Sequence, residues 1–560
     1  YLKGYPPAPG QTGHCELDRT RLLAGGVDGV TQEVRERRAQ AATDEQAATY
    51  DSFLSALEGL SALAEHAAKT AEAAMPAAPD WRREELARMA AVCRWTAHRA
   101  PRSFHEGIQL LWLTDLAVMF GDQVGLVGPG RLDRSLRALY DEDLRAGRLT
   151  REGALRLIES LYLLLNEFIP NGLAIPVMVG GRDARGADST HDLSYLCLEA
   201  LRRTRLAYPT VGLCWHEGTP PALTDLAVEL IGGGLSTPAF FGDETIQRGL
   251  RRYGVPPGQA CWYINSTCVE ITPSGASNVW VASPYFSLCK LLTDEIEAQA
   301  DGEAAPDFPE FLARYRKRLA EAIAAAAQEQ NAWREARRLR GGKPLQSVFT
   351  RDAIERGRDL DNGGALYNWV ECSFVGLANL ADSLHVLREE VYRQRRMTLR
   401  EIRDALAADF AGHEDVRQRF LNGHAKYGNG VAEVDALVAE TAAFAAQECG
   451  RHRMTPDDSP FVPGAFCWVQ HTRLGQACGA TPDGRRARTP FADGGGPAQG
   501  REHRGPTAAI LSTTSWDHAP LIGGLAYNMK FNTSLFRSAD ALARLRDLIV
   551  TYLRRGGFET

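Results

Sequence analysis

The chain has 560 residues, 44% of them hydrophobic and 24% charged, with a formal charge of −6. That balance supplies ample material for a large buried core and excludes a disordered chain. The small charge, with no long run of like charges, excludes an evident nucleic-acid or anionic-membrane surface and leaves small molecules as the default partner.

The first hundred residues are alanine-rich and helical by period. After Asp80, a candidate N-cap, Leu86, Met89, Ala90 and Cys93 recur at helical spacing and form one apolar stripe. Residues 1–100 therefore read as a helical N-terminal portion and 101–560 as an α/β core. The most apolar long run, "LRLIESLYLLLNEFIP", is broken by Glu159, Asn166 and Glu167, too polar and too short for a bilayer span, and no signal-peptide pattern opens the chain. Helical patterns then alternate with β-rich runs at 175–181, 210–215, 261–265 and 508–515, which suggests an α/β barrel or layered sheet. Long helices are expected from about Pro309 to Arg340 and from Val431 to Cys449. The glycine-rich "DGGGPAQG" at 493–500 reads as a surface loop.

The eleven cysteines are odd in number and contain no C-x-x-C pair. This argues against a zinc site or a disulfide framework and fits a reducing cytoplasm. No P-loop, dinucleotide fingerprint, H-E-x-x-H or G-x-S-x-G occurs, so nucleotide, zinc-protease and hydrolase chemistry lack their usual anchors. One stretch stands out. "YINSTCVEITPSG" (263–275) places a thiol two residues ahead of a carboxylate, between an apolar run and a Pro-Ser-Gly turn. In an extended chain Cys268 and Glu270 share a face, so both would act on one substrate. A carboxylate in a dry pocket can serve as acid or base near neutrality.

Longer phrases give that pair its context. "PRSFHEGIQLLW" (101–112), "GPGRLDR" (128–134), "TPAFFGDETI" (237–246), "CVEI" (268–271), "NGGALYN" (362–368), "VGLANLADSL" (375–384), "KYGNG" (426–430), "GATPDGRRA" (479–487) and "GPTAAILSTTSWDH" (505–518) follow in the order of the glycyl radical enzyme family, which this chain resembles over nearly its whole length. The resemblance implies a ten-stranded α/β barrel holding a cysteine finger loop, surrounded by helices. It implies that Cys268 becomes a thiyl radical that takes hydrogen from substrate. The radical would originate on a glycine, installed by a radical S-adenosylmethionine activase, and the enzyme would be a homodimer.

The tip carries a single cysteine, so thioester-forming acyl transfer is not expected. A Cys-x-Glu tip resembles members that eliminate a C–O or C–N substituent, with arylacetate decarboxylation as the alternative. Glu270 would then take a proton from a substrate hydroxyl or assist the leaving of a group. His14, in the "GH" phrase, is the candidate hydrogen-bond donor to substrate. Asp115 stands about where diol dehydratases of the family hold a substrate-binding histidine, and Ala282 replaces their acidic residue, which argues against glycerol or propanediol. Asn265 and Ser266 are further candidates for touching substrate or for capping the loop backbone. Thr267 replaces the usual glycine before the cysteine. Asp483, Arg485 and Arg486 read as structural, and Tyr263, Trp215 and Trp280 as core.

No R-V-x-G-[YF] phrase, the family's radical-bearing loop, occurs in the 560 residues. The chain opens on Tyr1 rather than Met and ends on "LRRGGFET", so both ends read as cut. A fragment of a longer product, half of an enzyme completed by a small glycyl-domain protein, and a non-radical homologue that binds a small molecule are the three expectations.

Overall fold

The computed structural model of the protein describes residues 13–168, 174–339 and 341–560. Thr12 beside the Gly-His phrase, the end of the apolar run at Pro170 and the expected helix end at Arg340 lie outside the described residues.

Among the described residues eleven short strands run in chain order: β1 (Gly13–Glu16), β2 (Gly125–Gly128), β3 (Pro176–Gly180), β4 (Thr210–Trp215), β5 (Ala239–Gly242), β6 (Tyr263–Asn265), β7 (Ile271–Pro273), β8 (Tyr285–Ser287), β9 (Val370–Val375), β10 (Arg453–Met454) and β11 (Ser459–Gly464). The expected runs at 175–181, 210–215 and 261–265 contain β3, β4 and β6. Val177, Met178, Val179, Leu213 and Cys214 are fully buried, and strands covered on both faces read as continuous apolar runs.

Strands β3, β4 and β5 pair in parallel, as do β1 and β2. A second sheet runs β10-β11-β9-β8, parallel except at β10. Single bridges join these pieces: Gly130 to Val177, Phe241 to Glu559, Ala526 to Glu559 and Ala465 to Leu525. The architecture is thus α/β with mixed sheets, and helices pack against the strands.

Helices span Thr20–Ala39, Asp44–Ala74 and Asp80–Thr96, whereas residues 13–16 form a strand beside β2. Asp80 lies inside its helix, in the first turn, and Pro79 is the N-cap residue. Leu86, Ala90 and Cys93 are buried against Ala64, Ala68 and Leu113. The later long helices span Phe308–Arg338, capped by Asp307, and Ala432–Cys449.

Two expectations are corrected. The run 508–515 lies in and just beyond a helix, Gly505–Thr513, with Pro506 in its first turn. Ala509, Ile510, Ser512 and Thr513 are buried while Leu511 is exposed, a helical rhythm fixed by packing on the helix Ala539–Arg554. The glycine-rich 493–500 is irregular as expected, yet Gly494, Gly495 and Gly496 are buried. With no side chains of their own they pack directly on Leu525, Ala526 and Tyr527. Among the described residues no helix is long and apolar enough to cross a membrane.

Candidate active site

Strands β6 and β7 form an antiparallel hairpin, pairing Tyr263 with Pro273, Ile264 with Thr272 and Asn265 with Ile271. Ser266 N–H closes the tip on Glu270 O at 2.7 Å. The hairpin is wedged between two walls. Asn265 N–H donates to Met178 Sδ of β3 at 2.9 Å, and Ile271 N–H donates to Ile522 O at 3.0 Å. The guanidinium of Arg131 braces the base, donating to Tyr263 O and to Gly180 O.

The tip residues 266–270 turn instead of running extended. Cys268 and Glu270 still face one space, but through this turn and not through the alternation of a strand. Glu270 Oε2 accepts N–H bonds from Cys268 and Val269, each at 2.9 Å. The Thr267 hydroxyl lies 3.3 Å from Glu270 Oε1 and 3.2 Å from His14 Nδ1. His14 Nδ1 is itself 4.0 Å from Glu270 Oε1. The Thr267 hydroxyl has one proton to give and therefore ties the histidine and the carboxylate into one chain.

A cavity of about 220 Å³ opens at this tip, lined on its polar side by His14, Thr267, Cys268 and Glu270. The aliphatic lining is Leu126, Ala174 and Ala282, and the aromatic lining is Tyr208, Tyr285, Phe466 and Trp468. Four of these eleven residues have left-handed backbone: His14 at φ 60°, Leu126 at 62°, Ala282 at 50° and Trp468 at 43°. Non-glycine residues take that region at a cost of order 1–3 kcal/mol each, and such strain clusters at functional sites. The turn at His14 depends on its neighbour, since Gly13 has φ 129° and a Cβ there would lie 1.9 Å from Gly125 O.

Burial pushes the Cys268 thiol up to about 12, with the Glu270 charge acting the same way. The thiol thus keeps its hydrogen at neutral pH. Burial lowers the proton affinity of His14, opposed by Glu270, which leaves a neutral imidazole. Burial likewise raises the Tyr285 phenol, so it remains a hydroxyl.

The structure brings His14, Cys268 and Glu270 together, and it places the other candidates elsewhere. Asp115 is fully buried in an ion pair with Arg19 and does not line the cavity. Burial raises its carboxyl to about 7 against the pull of Arg19. Asn265 caps the tip, its Nδ2 donating to Cys268 O at 2.8 Å, and Ser266 is buried behind it. Neither lines the cavity. Thr267, noted in the sequence for its bulk, has no positive φ and contributes the bridging hydroxyl. Sequence reading missed the aromatic wall, because its residues come from strand ends and loops far apart in the chain. Ala282 was singled out and does line the cavity.

Asp483 bonds Asn379 and Thr481, and Arg485 bonds the carbonyls of Gly479 and Thr489, a turn network as expected. Among the described residues one trio, His385, Glu389 and Glu433, has metal-ligand spacing. Arg388 and Arg393 already pair its carboxylates, and it does not line the cavity.

Comparison with known proteins matches residues 2–475 to the family model described as pyruvate formate lyase-like. The chain is 29% identical to the probable dehydratase YbiW of Escherichia coli (strain K12), over 96% of the chain and 72% of that protein. It is 27% identical to the (2S)-3-sulfopropanediol dehydratase of Klebsiella oxytoca, over 97% of the chain and 70% of that protein. Among solved structures, the glycerol-bound B12-independent glycerol dehydratase of Clostridium butyricum superposes with a TM-score of 0.93 at 27% identity, covering 98% of this chain and 73% of that one.

Proposed function

This chain belongs to the pyruvate formate lyase-like family of glycyl radical enzymes, and from that premise we propose that it is a dehydratase-type lyase acting through Cys268 and Glu270. The observation that carries this reading is the hairpin tip itself. A protonated thiol and a carboxylate share one small, largely apolar cavity, and the peptide bearing the first is hydrogen-bonded to the second.

A glycyl radical, when present, supplies one step, removal of the hydrogen atom from the Cys268 thiol. No glycyl-loop phrase occurs in residues 1–560, so this reading assigns the radical to a glycine outside them, on a longer form of the chain or on a small partner protein, installed by a radical S-adenosylmethionine activase. The residues here fit that role, because Cys268 keeps an S–H bond to give and lies half-buried at the cavity.

The sulfur-centred radical at Cys268 takes a hydrogen atom from the substrate carbon bearing a hydroxyl: an S–H bond forms and a C–H bond breaks. Glu270 takes the hydroxyl proton. The resulting ketyl expels the substituent on the neighbouring carbon, which leaves as water once that proton is returned to it. The carbonyl-stabilised radical then takes the hydrogen back from Cys268. Atoms and electrons balance with no added oxidant. His14 and Thr267 hold the carboxylate in place and offer hydrogen bonds to the oxygen functions. The apolar walls keep water away from the radical.

The finer fold statement belongs to the same reading. Following the bridges, β1 to β5, the segment 558–560, the segment 525–526, then β11, β9 and β8 make ten neighbouring positions. We take these as the barrel of residues 101–560, with β1 entering it from the N-terminal portion. A homodimer in the cytoplasm completes the proposal.

The test is anaerobic activation of the protein completed by its glycyl-bearing segment or partner, followed by product analysis. One carbonyl product per hydroxyl lost, formed about a hundredfold or more slowly in Glu270→Gln, is the expected result. Carbon dioxide released from an arylacetate would favour the decarboxylase alternative, whose aromatic substrate suits the wall of Tyr208, Tyr285 and Phe466. An activation that leaves no organic radical would favour the non-radical binding protein.

A further inference from the structure

We infer that the protein carries a second binding site, separate from the hairpin cavity, that takes a phosphate-type oxyanion, either inorganic phosphate or a small phosphomonoester. The site is a cavity of about 300 Å³ beside the "TPDGRR" turn, and it shares no lining residue with the cavity at Cys268. Four arginines line it: Arg417 from the helix Glu414–Asn422, Arg485 and Arg486 from the turn, and Arg501 from the loop after the buried glycines. Asp483 is the one carboxylate among its described lining residues. The inference goes beyond the dehydratase reading and does not rest on it.

The arginines differ in what holds them. Arg485 is buried and fully engaged: it donates to Thr481 Oγ1 at 3.2 Å and to the carbonyls of Gly479, Arg486 and Thr489, which makes it the brace of the turn. Asp483 is likewise held, by Asn379 Nδ2 and the Thr481 hydroxyl. Arg417 and Arg486 share a single carboxylate, Glu414, at 2.8 and 2.7 Å, and Arg417 Nε is shielded from water without an acceptor. A shielded donor of that kind is costly and calls for a partner. The Arg501 side chain makes no hydrogen bond or ion pair among the described residues, although its backbone is held by Ala498 O and Asn429 Nδ2. The field of Asp382 reaches Arg501, but burial raises that carboxyl to about 7 against the pull of Lys426, so it offsets the cation incompletely at neutral pH. The cavity therefore holds more guanidinium N–H groups than acceptors, and more positive charge than negative. A planar guanidinium fork matches the oxygens of a phosphate, and a concave wall of one sign concentrates the opposite ion. The volume lies at the lower end of ordinary ligand pockets, roughly 300–1,000 Å³, which suits a phosphate with a small ester group.

The test titrates the unactivated protein with inorganic phosphate and with methyl phosphate by calorimetry, at an ionic strength held constant with sodium chloride. Saturable binding at or below about 10 mM is expected, with a rise in melting temperature. Whichever of the two ions binds more tightly identifies the source that fills the site. Arg501→Gln should weaken binding about tenfold or more, the scale of a charge-assisted pair. Its melting temperature without ligand should match that of the unsubstituted protein, because the side chain gives up no bond within the fold. Arg417→Gln should weaken binding to a similar degree, and Cys268→Ser should leave it unchanged. No saturable binding of either ion, or full affinity in both Arg501→Gln and Arg417→Gln, would overturn the inference, as would an affinity lowered by Cys268→Ser. No radical or product is measured, so failure here leaves the dehydratase reading standing.

Discussion

Glu270 Oε2 accepts the backbone N–H of Cys268 at 2.9 Å, so the carboxylate facing the cavity also fixes the peptide that carries the thiol. The two functions can be separated. Glu270→Gln keeps an acceptor oxygen for the loop N–H groups but cannot take a proton. Turnover should fall about a hundredfold or more, with thermal stability lowered by about 1–2 kcal/mol as charge-assisted bonds become neutral ones. Undiminished turnover in that variant would remove Glu270 from acid–base work.

The thiol of Cys268 is held near 12, chiefly by burial. Because the raised value favours the protonated form, thiolate appears only in strong alkali. Alkylation of Cys268 by iodoacetamide, followed by mass spectrometry, should be slow at neutral pH and should rise with hydroxide throughout the range in which the protein stays folded. A plateau near the pKa of an ordinary thiol, about 8.5, would contradict the environment described.

The resemblance makes Asp115 a candidate for touching substrate, and its place in the fold predicts a different phenotype. Asp115→Ala leaves the Arg19 guanidinium buried without its partner. A loss of about 3–5 kcal/mol is expected, read as an earlier urea midpoint, with KM unchanged in whatever folded protein remains. A raised KM at unchanged stability would return Asp115 to the substrate.

Gly524 stands behind the hairpin tip. Its φ is 107°, and a Cβ there would lie 2.9 Å from Val269 Cγ2, 2.8 Å from Phe466 Cδ1 and 3.2 Å from Glu270 N. Gly524→Ala should cost about 1–3 kcal/mol in overpacking and strain. Turnover should fall by more than the unfolded fraction accounts for, because the clash displaces the loop between Cys268 and Glu270. A wild-type rate and melting temperature would show that the tip has slack there.

Much of the arrangement was legible in the chain, for identifiable reasons. Runs such as "TVGLCW" read as strands because a strand buried on both faces is apolar throughout. The Cys-x-Glu pair was legible as a local phrase within a longer ordered series. The run "AAILSTTS" misled because isoleucine and threonine favour strands intrinsically, whereas Pro506 and packing on the helix Ala539–Arg554 made it helical. Asp115 misled because its direction is set by Arg19, nearly a hundred residues earlier in the chain. The aromatic wall joins Tyr208, Tyr285, Phe466 and Trp468 across distances that no local pattern spans, and backbone strain at His14, Leu126, Ala282 and Trp468 leaves no trace in composition.

The central claim is that the Cys268 sulfur exchanges a hydrogen atom with bound substrate. It is tested most directly by Cys268→Ser in the anaerobically activated protein completed by its glycyl-bearing segment or partner, with electron paramagnetic resonance and product formation followed on one sample. A persistent organic radical signal with no product is the predicted result. Product at a rate near that of the unsubstituted protein would contradict it.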